Sequence, residues 1–341
     1  MSEPIAKKKS TRVSKSAKNN AVSADSADSV ASAAGASSST TTEPVKTRVT
    51  ISASDLAPIC GMDYYANWAK VIAKIWKQVD LTDYRIWEAK AKFSGQTLAT
   101  DRPHAQMKTL STAAAAGGRQ EAAAAIQSIQ SAVGALNRDT SKSSAGLMAK
   151  QAEIKATVAA NTALTTSEKQ QLIDLMKTAT NTRHGVSNEV SGYQIFAECM
   201  GKPCASQQQT MKHTVFADDR FEWVLTGRLD GLTADGEVVE IKNRTKGLFG
   251  RIRDYEAVQL QAYIHMTGAP LGHLLELHRL ADGRMDYDIK TLPRDPEFMA
   301  GFIPMWFTRA RSFVLEVLPA RDDLKQAIIT GDCRPSAEYY K

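Results

Sequence analysis

Asp230, Glu240 and Lys242 are the residues of this chain best suited to chemistry. The run Gly227-Arg228-Leu229-Asp230-Gly231 is followed by Glu240-Ile241-Lys242, nine residues separating the two acids, and the second group closes the apolar stretch Val238 to Ile241. Two carboxylates with the Ile241 backbone carbonyl make an all-oxygen donor set of the kind Mg²⁺ or Mn²⁺ prefers. Such a set relieves charge on a phosphoryl group, helps deprotonate a water and stabilises a leaving alkoxide, which is what phosphodiester hydrolysis requires. Lys242 adds a positive charge without binding metal, and desolvation between strands would lower its pKa toward that of a base for water. The spacing by itself is short, and it also fits an ordinary hairpin with solvated acids.

The elements that must position these groups are readable from periodicity and turn chemistry. Val224 to Leu232 and Val238 to Lys242 read as two strands joined by Ala234-Asp235-Gly236, because Asp-Gly between apolar runs is a strong hairpin signal. Arg183-His184-Gly185-Val186-Ser187-Asn188-Glu189 opens a helical stretch through Tyr193, Phe196 and Ala197, so that Glu189 offers a third carboxylate from the first turn and His184 a contact to substrate. Asp254 to Met266 has helical spacing. Gln259 and Tyr263, four apart, share a face; Gln261 lies on another, which makes Gln259 the better candidate for touching the cation site or the scissile phosphate. Leu271 to Leu280 and Arg284 to Thr291 read as strands, and Asp295 to Leu318 as a long helix burying Phe298, Phe302, Met305, Trp306 and Phe313, with Pro304 as a kink.

Charge is concentrated locally. The formal net charge of the 341 residues is +6, and it falls to about +2 once residues 1–50, with eight Lys/Arg against four Asp/Glu, are set aside. Arg244, Lys246, Arg251 and Arg253 crowd one stretch around Gly247-Leu248-Phe249-Gly250, a mobile basic loop that can track phosphates. Leu248 or Phe249 can wedge between base pairs or pack on the core. Lys7-Lys8-Lys9, Arg12, Lys15 and Lys18 can add phosphate affinity, form a nuclear localisation signal, or be a solvated charge run. No window reaches the roughly twenty apolar residues of a membrane span, and the N-terminus lacks the apolar stretch of a signal peptide. Cys60, Cys199, Cys204 and Cys333 are too scattered for a cluster site and read as reduced thiols. His265, His273 and His278 lie on apolar surfaces and read as packed.

The motifs together resemble the PD-(D/E)xK nucleases, and among them the YqaJ-like viral recombinase or lambda-type exonuclease group, close to the RecB nuclease domains. Ile51-Ser52-Ala53-Ser54-Asp55-Leu56, with Gly61 and Tyr64-Tyr65, resembles the N-terminal "T-A-S" segment of that group. His184-Gly185 to Glu189 resembles its G-x3-E motif, Gly227 to Gly231 its G-x-x-D-G, Glu240 to Lys242 its E-x-K, and Gln259 to Tyr263 its Q-x-Q/Q-x3-Y helix. The resemblance implies that Asp230 and Glu240 bind metal, Glu189 assists, Lys242 activates water and Gln259 organises the site. It also implies that Ser54, with Arg48, grips a DNA 5′-phosphate; from the residues alone Ser54 is equally a helix N-cap and Arg48 a strand-entry charge.

The chain departs from the family pattern between Lys90 and Asn181, where Ala-rich runs broken by Gly117-Gly118, Asn137 to Thr140 and Thr165-Thr166 predict two or three amphipathic helices. Ile126, Ile129, Val133 and Leu136 would form their seam. This stretch puts the ring-shaped assembly of lambda-type exonucleases in doubt; it can bind a partner or cap the DNA channel. The expected class is α/β: a restriction-endonuclease-like core with a central mixed sheet flanked by helices. Expected divisions are a disordered tail at 1–46, an N-terminal helical part at 47–89, an Ala-rich helical insertion at 90–181, the catalytic core at 182–320 and a polar C-terminal extension at 321–341, whose Glu338-Tyr339-Tyr340 end docks a partner or frays. The expected function is Mg²⁺-dependent resection of duplex DNA from the 5′ end in viral or phage recombination and repair. A structure-specific endonuclease and a catalytically silent DNA-binding or packaging protein are the alternatives. The resemblance implies DNA ends and a single-strand annealing protein as partners, with a homo-oligomer admissible and no membrane. The expected location is intracellular, in the nucleus or a viral replication compartment of a eukaryotic host.

Overall fold

A computed structural model describes residues 46–62, 68–139, 143–187 and 189–333. The basic tail, Tyr64-Tyr65, Asn188 and Glu338-Tyr339-Tyr340 lie outside the described residues. The fold is mixed α/β, with sheets flanked by helices.

Strand β1 (Thr47–Ser52) alternates, burying Val49 and Ile51, and runs parallel to β4 (Phe221–Arg228) in the register Thr47↔Phe221 to Ser52↔Thr226. Thus the segment expected to be helical from residue 47 begins as a strand. Across β4 lies antiparallel β3 (Thr210–Ala217), giving a three-stranded sheet of order β1-β4-β3. The other sheet has five strands, β2 (Cys204–Gln207), β5 (Gly231–Thr233), β6 (Val238–Arg244), β7 (Leu271–Arg279) and β8 (Met285–Pro293), in the order β2-β5-β6-β7-β8. One central sheet was expected; there are two, because the predicted strand Val224–Leu232 breaks at Leu229-Asp230 and its halves join different sheets. The Asp-Gly turn does form a hairpin: Gly236 adopts φ +79° and its N–H donates to the Thr233 carbonyl at 3.1 Å.

β6 and β7 run parallel and are joined by helix α9 (Asp254–Thr267), the helical crossover that parallel neighbours need. β7 buries Gly272 to Leu277 without interruption, as a central strand covered on both faces does. Helices α1 (Ala53–Ile59), α2 (Trp68–Val79) and α3 (Leu81–Phe93) complete the main core with α9. Trp68 meets Phe313 edge-on at 5.2 Å and Trp76 meets Tyr84 at 5.4 Å, orientations favoured by the aromatic quadrupole.

Residues 103–187 form four helices, α4 (Pro103–Ala116), α5 (Gln120–Arg138), α6 (Ser144–Ala160) and α7 (Thr166–Ser187), around an apolar core of their own that includes Ile126, Ile129, Val133 and Leu136. Helices run across both expected boundaries at 90 and 181. Helix α7 is hard to read from the residues because its buried stripe, Leu172, Ile173, Met176, Thr180 and His184, turns polar in its second half. Consequently Glu189 follows a long helix and begins a new one, α8 (Glu189–Met200), where a helix opening at Arg183 was expected. Thr165 and Glu168 cap α7 reciprocally: Glu168 N–H donates to Thr165 Oγ1 at 3.2 Å and Thr165 N–H to Glu168 Oε2 at 2.8 Å. Arg119 donates to both Glu168 oxygens at 2.8 Å, which holds that carboxyl down at about 2. A depressed carboxylate contributes stability above its unfolded pKa, and that contribution is lost as pH falls through the folded one. Thermal melts should therefore show wild type losing its advantage over Glu168→Gln between about pH 4.5 and 2, and a pH-independent gap would contradict the pairing.

The expected helix 295–318 is divided into a π-helical turn (Phe298–Phe302), α10 (Ile303–Ser312) and a second π-helical turn (Phe313–Val317). The backbone stays right-handed helical through both junctions, so the stretch is one continuous helix, and Pro304 lies just past its first π-helical turn. Met305 is exposed, and the inward face is Phe298, Ile303, Phe307, Ala310 and Phe313. The polar extension expected beyond Pro319 contains α11 (Asp322–Thr330), which buries Leu324, Ile328 and Ile329 against the core. No helix of the described residues is long and apolar enough to cross a membrane.

Candidate active site

Asp230 sits where the chain leaves one sheet for the other. The β5–β6 ladder ends at Gly231↔Val239, so Asp230 and Glu240 are the next residues beyond it on the two segments. Asp230 Oδ2 accepts the Ile241 N–H at 2.8 Å. Strand alternation puts Glu240 and Lys242 on one face of β6 and Ile241 on the other, where it packs with Phe196, Val239, Leu275 and Leu277. Helix α8 comes so close to that side that a side chain at Gly192 would meet Ile241 Cγ2 at 2.9 Å.

Glu240 is 4% exposed. Burial, opposed by Lys242 and reinforced by Asp230, pushes its carboxyl up to about 7. Burial likewise raises Asp230 and Glu189, the latter also through the charge of Asp230. Lys242 Nζ donates to Glu240 Oε1 at 2.6 Å and to Gln259 Oε1 at 3.0 Å, while Gln259 Nε2 donates to Tyr263 Oη at 3.1 Å. Desolvation was expected to lower Lys242. It acts in that direction, but Glu240 and Asp230 outweigh it and raise the amine above its ordinary value, so Lys242 serves this site as a cation. Tyr263 needs Gly227: a Cβ there would lie 2.3 Å from the ring. Opposite, Glu189 accepts from Gln208 Nε2 at 3.1 Å, and Tyr193 Oη donates to the Asp230 carbonyl at 2.8 Å.

The second oxygen of Glu240 is buried with no protein partner. An orphaned carboxylate oxygen inside a protein is costly, and a cation would satisfy it. Among the described residues no group of three or more His, Cys, Asp or Glu side chains is arranged to hold a metal ion. Were a divalent cation bound, Asp230 and Glu240 would hold it with Glu189 beside them, a set that suits an ion keeping several waters and taking one or two carboxylates, as Mg²⁺ does.

No family model and no curated protein matches the chain. Its structure is similar to that of an alkaline exonuclease. That protein, from Laribacter hongkongensis, is 14% identical, with a TM-score of 0.34 over 57% of this chain and 93% of its own. Its complex with dAMP gives 15% identity and a TM-score of 0.32 over 56% and 90%. The protein SSO0001 gives 16% identity and a TM-score of 0.30 over 42% of this chain and 66%, just under two thirds, of its own length.

Several residues singled out in the sequence lie elsewhere. Arg244, expected on an open basic loop, is turned inward: its side chain is 11% exposed and bonds Glu256 and Glu276, both buried, at 2.6 Å. The loop after it is tied down, not mobile, because the Phe249 and Gly250 N–H groups donate to Glu276 and the Phe249 ring lies between Arg244 (4.1 Å) and Arg253 (4.4 Å). Lys246 and Arg251 are exposed and remain available. Gln261 is buried and fixes β8 to α9, donating to the Pro293 carbonyl at 2.7 Å and accepting from Asp295 N–H. His184 is buried against Ser144 at 3.4 Å, and burial lowers its pKa. Arg48 pairs with Glu222 across β1–β4 at 2.7 Å. Ser52, not Ser54, occupies the N-cap of α1; Ser54 lies in its first turn, 3.0 Å from Ser52 Oγ, on a cleft of about 610 Å³ that Lys70 and Lys74 also line. Burial pushes the Cys60 thiol up, and none of the four cysteines forms a disulfide. The sequence reading missed Gln208, whose Gln-Gln-Gln surroundings carry no periodic signal.

Proposed function

We propose that this chain is a divalent-cation-dependent deoxyribonuclease of the PD-(D/E)xK superfamily. The observation that carries the reading is the buried Glu240, with one oxygen on Lys242 and the other unpartnered, beside Asp230. A buried carboxylate oxygen left unpartnered beside a second carboxylate is costly, and such perturbed groups cluster at functional sites. Asp230 and Glu240 would hold the cation, with the Ile241 carbonyl as a further donor and Glu189 alongside. A bound Mg²⁺ or Mn²⁺ supplies charge relief on the phosphoryl oxygens and an acidified water. Lys242, held by Glu240 and Gln259, orients the attacking water or the phosphate by donating hydrogen bonds, and Tyr263 fixes Gln259 in turn. Lys246 and Arg251 bring duplex phosphates to the site.

The finer reading is resection from a 5′ end within a recombination system. Ser54 and Lys70 are the candidate 5′-phosphate contacts of that cleft, Lys74 being paired with Asp55 at 2.8 Å, and the helices between 103 and 187 are an insertion that caps the DNA path or binds an annealing partner. The test is digestion of linear duplex labelled at either end, beside covalently closed circles, with Mg²⁺ and with EDTA. Loss of linear DNA from one end with circles intact supports the exonuclease; cut circles replace it with an endonuclease; no metal-dependent loss removes the nuclease reading. Ser54→Ala is expected to erase a preference for 5′-phosphorylated over 5′-hydroxyl ends, and equal slowing on both end types would deny Ser54 that role.

A further inference from the structure

We infer that Gln208 is a positioning residue of the cation site, whose side-chain amide turns the Glu189 carboxylate toward Asp230; this rests on the reading of that site as a cation site. Gln208 is the only non-glycine residue with positive φ among the described residues, at +56°. It lies between β2 and β3, which belong to different sheets, beside the point where Leu229-Asp230 makes the same crossing between β4 and β5. The two crossings are stapled together: Gln208 N–H donates to the Asp230 carbonyl at 3.1 Å, and Leu229 N–H to the Gln209 carbonyl at 2.9 Å.

The left-handed backbone lets Gln208 keep this staple while aiming its side chain across the seam. From there Nε2 donates to Glu189 Oε2 at 3.1 Å and to Tyr193 Oη at 3.2 Å, and Tyr193 Oη donates to the same Asp230 carbonyl. Strained backbone persists where surrounding structure over-determines it, and such places cluster at functional sites. The chemistry of an amide fits the task. Glu189 and Asp230 repel each other, and a half-buried carboxylate on the first turn of α8 would otherwise swing toward water. A neutral donor holds it without supplying a charge that competes with the cation, as a lysine would, or a further repulsion, as a glutamate would.

Gln208→Gly separates the two features, since glycine accepts the left-handed conformation and lacks the amide. Mn²⁺ binding to the full chain, followed by calorimetry without DNA, is expected to weaken about 10- to 100-fold in this variant, the usual cost of losing an outer partner of a metal ligand. The metal-free melting temperature should not fall. In a Glu189→Gln background the same change should cost clearly less than in wild type, because the contact to Glu189 is already gone and only the hydrogen bond of Gln208 to Asp230 remains. Wild-type Mn²⁺ affinity in Gln208→Gly, or a full additional loss in the double variant, overturns the role of Gln208. A Glu240→Gln chain run alongside tells this failure from a deeper one: if it binds Mn²⁺ as wild type does, the cation site falls, and Gln208 with it.

Discussion

Glu240→Gln is expected to slow metal-dependent DNA cleavage by on the order of 10³-fold, beyond the 10- to 100-fold typical of an outer partner, because it removes a ligand charge. Glutamine preserves the shape of the side chain and an oxygen for Lys242, so the fold and the affinity for duplex DNA should persist. Single-turnover cleavage of labelled duplex, set against binding by fluorescence anisotropy in Ca²⁺, separates the two quantities. Cleavage at the wild-type rate would remove Glu240 from the site and leave the nuclease activity to be placed elsewhere on the chain. Lys242→Ala should give a loss of about 10²- to 10³-fold, the range for removing one positioned hydrogen-bond donor from a site where charge develops. The Gln259–Tyr263 pair then stays on α9 without the ammonium it orients.

Arg244→Ala has the second large effect, and it is one of stability. Its guanidinium lies between Glu256 and Glu276, which are 1% and 0% exposed, so truncation strands two buried carboxylates. Breaking such a group costs about 3–5 kcal/mol. Glu276 also receives the Phe249 and Gly250 N–H groups, so the loop should loosen as well. Urea unfolding measures the loss. Lys246→Ala and Arg251→Ala, at exposed positions, should stay within about 0.5 kcal/mol of wild type while each reduces the salt dependence of DNA binding by about one phosphate contact. If Arg244→Ala unfolds like wild type and instead loses DNA affinity, the reading of Arg244 as a phosphate contact is restored.

The contrast between Arg244 and Lys246 shows where sequence reasoning ends. Both belong to one basic stretch, and nothing local distinguishes them. Glu256 and Glu276, twelve and thirty-two residues further on, are brought to Arg244 by the β6-α9-β7 crossover, and only that tertiary placement turns a surface charge into a buried ion cluster. Lys242 follows the same logic: desolvation alone argues for a lowered pKa, but the carboxylates opposite decide the sign.

What rests on short-range physics is legible in the residues themselves. The Asp-Gly hairpin, the shared face of Glu240 and Lys242, the helix carrying Gln259 and Tyr263, and the seam of Ile126, Ile129, Val133 and Leu136 all follow from turn conformation and from the periods of strand and helix. Tertiary structure alone decided that β4 and β5 belong to different sheets, that Asp230 stands on their seam, and that Gln208 crosses beside it. Strand partnership depends on which distant backbone offers its hydrogen bonds and which apolar face must be covered, and neither is encoded within the few residues that set a local period.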